Sequence, residues 1–261
     1  MTTWGHAEDP RRRADELAAL RQGLDAGMTL VDTAEMYAGG AAEELVGEAI
    51  AGRRDEVFLV GKVFPAHASR EGTVIACQRS LRRLGTDRFD LYLLHWRGHV
   101  PLHETVDALM ALRTAGSIRA WGVGNFDVPD LAELLTLVGG GDVATDQVPY
   151  SPARRSIELD VLPWCVERRR AVMTYAPFDG GPLLDHPVLG TIARRHGATP
   201  AQVVLAWILR HERLAVLPMM RTPAEVRENA EALGVRLAPD DLLAMDDAFP
   251  RPRAPEPIVV A

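Results

Sequence analysis

The sequence predicts an α/β fold, and within that class a (β/α)8 TIM barrel formed by a single domain over residues 1–261. Three observations support this prediction. Short apolar runs alternate with longer segments of helical periodicity along the chain. The runs do not alternate between polar and apolar residues, which is typical of parallel strands buried on both faces. The length of 261 residues suits one such barrel, for which about 250 residues are usual.

The apolar runs are the predicted strands, and the helical segments between them make a repeated strand–helix unit. Such a repeat predicts a parallel sheet with right-handed crossovers, which a chain of this length closes into a barrel. The predicted strands lie near Thr29–Val31, Val57–Val60, Leu91–Leu94, Ile118–Val123, Val143–Val148, Ala171–Ala176 and Leu214–Leu217.

The segments with helical spacing are the predicted helices. Two of them carry an additional start signal, because Thr199 and Thr222 each precede a proline at the first helical turn. The Pro-rich tail after Phe249 is expected to be a surface extension. The predicted helices span Ala14–Ala26, Ala42–Ala51, Glu71–Leu84, Leu102–Ala115, Val128–Val138, Pro200–His211 and Pro223–Leu233.

Composition narrows the class of function. The hydrophobic fraction is 47%, the charged fraction 25% and the net charge −7, which argues against nucleic acid or an anionic membrane as partner. The chain shows no targeting segment, and its longest apolar stretches, such as Val203–Leu209, are too short to span a bilayer. Cys77 and Cys165 have no zinc or redox spacing and are expected to be reduced. We expect a cytoplasmic monomer without a metal.

Lysine and asparagine are rare in this chain. Of the 29 basic residues only Lys62 is a lysine, and Asn125 and Asn229 are the two asparagines. The chain is rich in Ala, Arg, Gly and Pro, a background that disfavours both residue types. Their retention therefore suggests a chemical reason, although leftovers of no function would also explain them.

Polar residues end successive predicted strands. The carboxyl ends of barrel strands form the active-site face, so these side chains are expected to converge there. They are Asp32, Lys62, His95, Asn125, Gln147 and, near the end of its strand, Tyr175. The only lysine and one of the two asparagines are thus both placed at the predicted active-site face.

Four residues at that face predict general acid catalysis. Lys62 follows an apolar strand and needs an anion when it is buried, which Asp32 on the adjacent strand can supply. The ammonium beside Tyr37 is expected to lower the pKa of the phenol and make it a usable acid near neutral pH. His95 can donate a hydrogen bond to a carbonyl oxygen. Each residue alone also fits a polar network capping strand ends, whereas the four together favour catalysis.

Several motifs, in order and over nearly the whole chain, resemble the aldo-keto reductase family. The resemblance implies hydride transfer from a reduced nicotinamide to an aldehyde or ketone, with Tyr37 as proton donor. It also implies that Gly124, Asn125 and Gln147 bind the carboxamide, and that Tyr175 stacks on the nicotinamide. The motifs are Gly27–Tyr37, Phe58–Lys62, Asp90–Trp96, Gly122–Phe126 and Glu228–Asn229. The predicted cofactor-binding residues further include Ala176, Phe178, Met219, Arg221, Glu225, Glu228 and Asn229.

A substrate pocket of aromatic and apolar residues is expected over the catalytic group. Some of these residues could instead pack the mouth of the barrel. An apolar pocket there suits an aldehyde or ketone with some bulk. The candidates are Trp4, Met36, Phe64, Trp96 and Phe126.

The chain departs from the family pattern in three places. Gly124 replaces the usual serine, which removes one hydrogen bond to the cofactor. Met219 and Glu225 replace two cations that bind the cofactor's 2′-phosphate, so that NADPH is the expected cofactor by resemblance and NADH is possible. Arg221 or Arg227 could compensate, as could the N-terminus of the last predicted helix. The first strand is truncated relative to the family, and we hypothesise that the true start lies upstream of Met1.

The sequence is also compatible with two other functions. A non-catalytic nicotinamide-binding redox sensor would keep the same fold, and the weakened phosphate site leaves room for it. An unrelated barrel hydrolase or lyase would need a metal or a Schiff-base lysine. His95, His99 and His103 recur every four residues like metal ligands, but Gly98 and Pro101 interrupt that segment.

Overall fold

The computed structural model of the chain describes residues 1–2 and 10–260. In these residues seven strands form one sheet in which every neighbouring pair is parallel and the spatial order equals the chain order. The strands are β1 Leu30–Asp32, β2 Phe58–Val63, β3 Phe89–Leu94, β4 Ile118–Gly124, β5 Thr145–Pro149, β6 Ala171–Tyr175 and β7 Leu214–Leu217. Each predicted strand is present, with ends shifted by a few residues.

Helices connect the strands, and all seven predicted helices are present. Three further helices were not predicted. Of these, α6 is only seven residues long, whereas α7 does carry readable signals, with Pro187 in its first turn and Gly197 in the left-handed conformation at its end. The helices are α1 Pro10–Asp25, α2 Ala41–Ile50, α3 Arg70–Leu84, α4 Leu102–Thr114, α5 Val128–Thr136, α6 Val161–Glu167, α7 Pro187–His196, α8 Pro200–Ile208, α9 Pro223–Glu231 and α10 Pro239–Ala248.

The two threonine start signals are confirmed. Thr199 accepts a hydrogen bond from the backbone N–H of Gln202 and completes a capping box, and Thr222 accepts one from the backbone N–H of Glu225. Both caps satisfy N–H groups that have no partner within the helix. Within the described residues, no helix is long and apolar enough to cross a membrane.

Thr2 fills the gap between the first and last strands. It forms parallel bridges to Asp32 at the end of β1 and to Met219 just after β7. The backbone N–H of Asp32 also donates to the carbonyl oxygen of Met1 at 2.8 Å. A very short N-terminal segment therefore stands where the first barrel strand was predicted to be truncated, and it links the two edges that would otherwise be unpaired.

The barrel interior is built in layers. Side chains of alternate residues point inward, and a compact apolar cluster fills the lower layers with Val60, Leu91, Leu93, Met173 and Leu217. The next inward position along several of these strands is polar, as at Lys62 after Val60 and at His95 after Leu93. The active-site residues therefore lie on an apolar floor that separates them from water on the other side.

A carboxylate clamp holds the amino end of the barrel strands together. Asp90 on β3 is buried and accepts the backbone N–H of Leu59 on β2 at 2.9 Å. The same carboxylate pairs with Arg54 at 2.9 Å and Arg119 at 2.7 Å. Since both oxygens have charged or backbone donors, the cost of burying the charge is offset.

Leu93→Ala is expected to destabilise the protein by about 2–5 kcal/mol, because Leu93 is fully buried in the packed barrel interior and its truncation leaves a cavity. Urea denaturation followed by circular dichroism gives the free energy of unfolding. Leu243→Ala is the matched control, since Leu243 is 63% exposed on α10, and it should change this free energy by under about 1 kcal/mol. Equal losses from the two variants would contradict the assignment of Leu93 to the interior.

Candidate active site

Lys62 lies at the centre of a buried polar group at the carboxyl ends of β1 and β2. Its Nζ atom is 2.5 Å from Oδ2 of Asp32, 3.1 Å from the carbonyl oxygen of Thr33 and 3.2 Å from the phenol oxygen of Tyr37. Lys62 is 1% exposed and Asp32 2% exposed. The structure thus brings together the three residues that the sequence predicted as acid, cation and counterion.

The charge of Lys62 is maintained by its partners. Burial lowers the pKa of the ammonium, but the Asp32 carboxylate and Tyr37 raise it by more, so that the pKa of Lys62 lies above its ordinary value. Lys62 is therefore an ammonium at neutral pH. It presents a fixed positive charge to the phenol oxygen.

The pKa of Tyr37 differs from the expectation. Burial raises the pKa of the phenol, and Lys62 opposes this effect without reversing it, so the net shift is upward. The expectation of a pKa lowered by Lys62 was wrong because it left out the desolvation of the phenol itself. Tyr37 is consequently protonated at neutral pH, as a proton donor must be. Lys62 lowers the free-energy cost of the buried phenolate that forms once the proton has left.

His95 completes the predicted group. Its ring lies edge-on to Tyr37, with centroids 5.7 Å apart, and tilted against Trp96 at 4.8 Å. Burial and then the charge of Lys62 lower the pKa of His95 to about 2. The imidazole is therefore neutral at physiological pH and carries a single N–H, which can donate a hydrogen bond to a carbonyl oxygen.

Gln147 joins this group in a way that the sequence did not reveal. Its Nε2 atom donates to Oδ1 of Asp32 at 2.8 Å, while Oδ2 of the same carboxylate accepts from Lys62. Gln147 was predicted to bind cofactor, but the structure also makes it a holder of the counterion. Its carbonyl oxygen Oε1 has no hydrogen-bond partner among the residues described. The contact spans the barrel between residues far apart in sequence, so no local pattern could have shown it.

Asn125 and Tyr175 form a second polar pair at the same face. The amide of Asn125 donates to the carbonyl oxygen of His95 at 3.0 Å, and the Tyr175 hydroxyl donates to Oδ1 of Asn125 at 2.7 Å. Asn125 has φ of 60°, a left-handed conformation that asparagine tolerates better than most residues. Gly124 before it is also constrained, because a Cβ there would lie 2.7 Å from the carbonyl oxygen of His95. A serine at this position would therefore require a small backbone shift at His95 or at Gly124 itself.

The remaining predicted cofactor residues lie in the loop after β6 and on α9. Ala176 has φ of 52°, and Phe178 is half-buried two residues later. On α9, Glu228 is half-buried and Asn229 is buried, being 7% exposed. Their roles in binding a cofactor stay predictions.

A cavity of about 280 Å³ lies at the N-terminal end of α9 and is lined by residues of both signs. Two arginines face three carboxylates there, and Glu225 accepts both the backbone N–H of Arg221 at 2.6 Å and its guanidinium at 3.1 Å. Met219 is 39% exposed nearby in the chain. Arg12 on α1 is the cation that sequence reasoning missed, because no local signal shows that α1 packs against α9. The lining residues are Arg12, Asp15, Glu16, Arg221, Thr222 and Glu225.

The residues predicted to line the substrate pocket lie in different surroundings, and for all of them except Phe126 contact with a substrate stays a prediction. Phe64 and Trp96 pack edge to face with ring centroids 5.3 Å apart, and Met36 is 40% exposed in the loop of Tyr37. Phe126 is fully buried in the large core between sheet and helices, so the prediction that it lines the pocket was wrong. After the left-handed Asn125 the chain turns this side chain away from the barrel mouth. Trp4 lies outside the described residues.

The comparisons with known proteins agree with this geometry. The family model described as "Aldo/keto reductase family" matches residues 1–249. The chain belongs to the aldo/keto reductase family. This confirms the predicted family and barrel fold, and it makes the chain an oxidoreductase rather than an unrelated barrel hydrolase or lyase.

Named relatives of this reductase cover nearly its whole length. It is 46% identical over 256 residues to the methylglyoxal reductase YeaE of Escherichia coli K12, covering 96% of this chain and 90% of the relative. It is 33% identical over 231 residues to the glyoxal reductase of Bacillus subtilis, covering 87% and 81%. A crystal structure of an aldo/keto reductase from Klebsiella pneumoniae, in complex with NADP and acetate, superposes with a TM-score of 0.97 at 44% identity, covering 100% and 94%.

His95→Gln is expected to flatten the pH dependence of stability in the acid range. The folded state keeps His95 neutral down to a pKa of about 2, whereas the unfolded chain protonates it near pH 6.5. The unfolded state thus binds more protons below pH 6.5, and stability falls as the pH falls. Between pH 7 and pH 5 this effect amounts to roughly 2 kcal/mol.

Urea denaturation at several pH values measures this effect as the difference between the wild type and His95→Gln. His99→Gln is the matched control, because His99 is exposed and its loss should leave the wild-type pH dependence in place. Parallel curves for the wild type and His95→Gln would show that His95 titrates normally in the folded protein.

Proposed function

We propose that this chain reduces the carbonyl group of a small aldehyde or ketone to an alcohol, with NADPH as hydride donor and Tyr37 as proton donor. The observation that carries the proposal is the buried group in which the Lys62 ammonium lies 3.2 Å from the Tyr37 phenol oxygen and 2.5 Å from Asp32. A redox sensor that only binds nicotinamide would have no need of a desolvated ammonium beside a protonated phenol, so this alternative is not favoured.

The residues at the barrel mouth fit a nicotinamide. Gln147 has an amide oxygen without a hydrogen-bond partner in the described part of the chain, and Asn125 and Tyr175 offer amide and hydroxyl groups beside it. Gln147 and Asn125 would hold the carboxamide, and Tyr175 would stack on the nicotinamide ring, as the family resemblance implies. The N-terminus of α9, with its dipole, would face the phosphates of the other end. The reduced nicotinamide would supply the hydride.

The protein's own groups perform the proton chemistry. His95, neutral at working pH, donates its N–H to the carbonyl oxygen and polarises the carbonyl carbon for hydride attack. The Tyr37 hydroxyl then donates its proton to the same oxygen as negative charge develops there. Lys62 stabilises the phenolate left behind, and Asp32, held by Gln147, keeps Lys62 charged and in place. Phe64 and Trp96 limit the access of water.

Small 2-oxoaldehydes are the substrate class that we propose first. Two relatives are named methylglyoxal reductase and glyoxal reductase. The Tyr37 hydroxyl and the His95 imidazole, whose rings lie edge to face with centroids 5.7 Å apart, could both donate to the oxygen of one small carbonyl. We further propose that the protein acts as a monomer in the cytoplasm, as its composition led us to expect.

Tyr37→Phe is expected to lower kcat by about 10²- to 10⁴-fold, because it removes the proton donor and leaves the ring in place. The assay is the loss of NADPH absorbance with methylglyoxal and a panel of aldehydes. Tyr92→Phe is the matched control, since Tyr92 is fully buried on the outward face of β3, and its kcat should stay within about twofold of the wild type. No turnover by the wild type with any carbonyl, despite tight NADPH binding, would favour the sensor.

Glu225→Gln is expected to lower the KM for NADPH about two- to fivefold at low ionic strength and to leave the KM for NADH unchanged. The change removes a negative charge and releases the Arg221 guanidinium, which Glu225 holds at 3.1 Å, for the 2′-phosphate. Because the groups are partly exposed, about 0.5 M salt should erase the gain. Glu212→Gln, at an exposed site, is the control. An equal fall in the KM for NADH would contradict a 2′-phosphate effect.

A further inference from the structure

Glu35 is a buried carboxylate that the proposed mechanism does not use. It lies three residues after Asp32 and two before Tyr37, in the loop that follows β1, and its side chain is 5% exposed. A buried glutamate is costly unless its oxygens are satisfied. The hydrogen-bond and ion-pair partners of Glu35 therefore indicate the role of this residue.

The partners of Glu35 all belong to the segment that follows β2 or to the helix after it. Oε1 accepts the backbone N–H of Phe64 at 2.8 Å and contacts Nδ1 of His67 at 3.0 Å. Oε2 is 3.4 Å from the guanidinium of Arg79 on α3. The backbone donor is the decisive contact, because it fixes the carboxylate to one point of the chain just beyond Lys62.

These contacts form a closed ring of interactions around the proton donor. Tyr37 is two residues from Glu35, Glu35 is bonded to Phe64, Phe64 is two residues from Lys62, and Lys62 is bonded back to Tyr37 at 3.2 Å. The loop of Tyr37 needs such a restraint, because Ala38, Gly39 and Gly40 directly after it all have positive φ. Three consecutive left-handed residues do not form a regular element that would hold the phenol in position.

Aromatic ring contacts form a second closed set of interactions around the proton donor. The Phe64 ring packs on His67 at 5.9 Å and on Trp96 at 5.3 Å, Trp96 packs on His95 at 4.8 Å, and His95 packs on Tyr37 at 5.7 Å. Glu35 holds Phe64 by its backbone and contacts His67 by its side chain. The carboxylate thus fixes both the loop of the acid and the aromatic edge of the mouth.

We propose that Glu35 is a positioning residue for the proton donor: it ties the Tyr37 loop to the segment after β2 and so sets the distance between the phenol and Lys62. This inference rests on the proposed reductase function for its kinetic part only. Glu35 acts through Tyr37 and touches neither substrate nor cofactor in this account. Its hydrogen-bond acceptor, rather than its charge, carries the role, because the decisive partner is a backbone N–H.

The test compares Glu35→Ala and Glu35→Gln with Asp90→Ala. Asp90 is a matched control, since it is also a buried carboxylate that accepts a backbone N–H of β2 and binds arginine, but at the opposite end of the strands. Glu35→Ala should lower kcat about 10- to 100-fold, because displacements of about 1 Å cost that much. Glu35→Gln, which keeps the acceptor for Phe64, should stay within about threefold of the wild type. Asp90→Ala should lower the unfolding midpoint without changing kcat by more than about twofold.

Three further readouts separate positioning from general structural damage. The Kd for NADPH, measured by fluorescence, should be unchanged in Glu35→Ala. In the Tyr37→Phe background, Glu35→Ala should cause no further loss of kcat, because it acts through Tyr37. Amide hydrogen exchange over residues 33–40 should be faster in Glu35→Ala than in the wild type or Asp90→Ala.

Several outcomes would overturn the proposal. Equal kcat losses in Glu35→Ala and Asp90→Ala would show that Glu35 contributes to stability only and does not position Tyr37. A Glu35→Gln variant as impaired as Glu35→Ala, with a shifted pH profile, would show that the charge matters and the acceptor does not. If the wild type reduces no carbonyl, the proposed function fails alone, and hydrogen exchange of residues 33–40 still decides whether Glu35 holds the loop.

Discussion

The buried ammonium of Lys62 is the constraint on which the active site depends. A lysine that is 1% exposed loses its hydration and stays charged only if the protein supplies anions or dipoles in fixed positions. Asp32 supplies the anion, the carbonyl oxygen of Thr33 and the phenol of Tyr37 supply the dipoles, and all three come from one short segment. The strand pair β1–β2 therefore has to keep its register, since a slip of one residue would turn Asp32 or Lys62 out of the barrel.

The layered interior is what creates that constraint at the mouth of the barrel, because it keeps water away from the ammonium. The apolar residues Val60 and Leu93 fill the inward positions two residues before Lys62 and His95, which excludes water from below. The carboxyl ends of β1, β2, β3 and β5 then bring Asp32, Lys62, His95 and Gln147 to the same face of the barrel. The site is thus a consequence of strand alternation, and the rise in the pKa of Tyr37 has the same origin as the stability of the barrel, namely the exclusion of water.

The sequence predicted the fold and the central residues because both depend on local patterns. Apolar runs of strand length, threonine–proline helix starts and a polar residue at each strand end can be read from neighbours in the chain. The prediction for Tyr37 failed in sign because the extent of burial is a tertiary property. The prediction for Phe126 failed because the left-handed turn at Asn125 redirects the chain. The links from Gln147 to Asp32 and from Arg12 to α9 join distant segments and have no local signal.

Glu35 lies between the features that the local sequence predicts and those that only the tertiary structure shows. It stands inside the motif that pointed to Asp32 and Tyr37, yet its partner Phe64 lies 29 residues further along the chain. Tyr37 lies in the loop after β1 and Phe64 lies beyond the end of β2, and register alone does not fix a loop once its strand has ended. A buried carboxylate that accepts a backbone N–H extends the pairing of β1 and β2 past the last strand residue. At the amino end of β2, Asp90 of β3 accepts the backbone N–H of Leu59 in the same way. The barrel therefore employs one device at both ends, and only at the carboxyl end does the held loop carry a group that reacts.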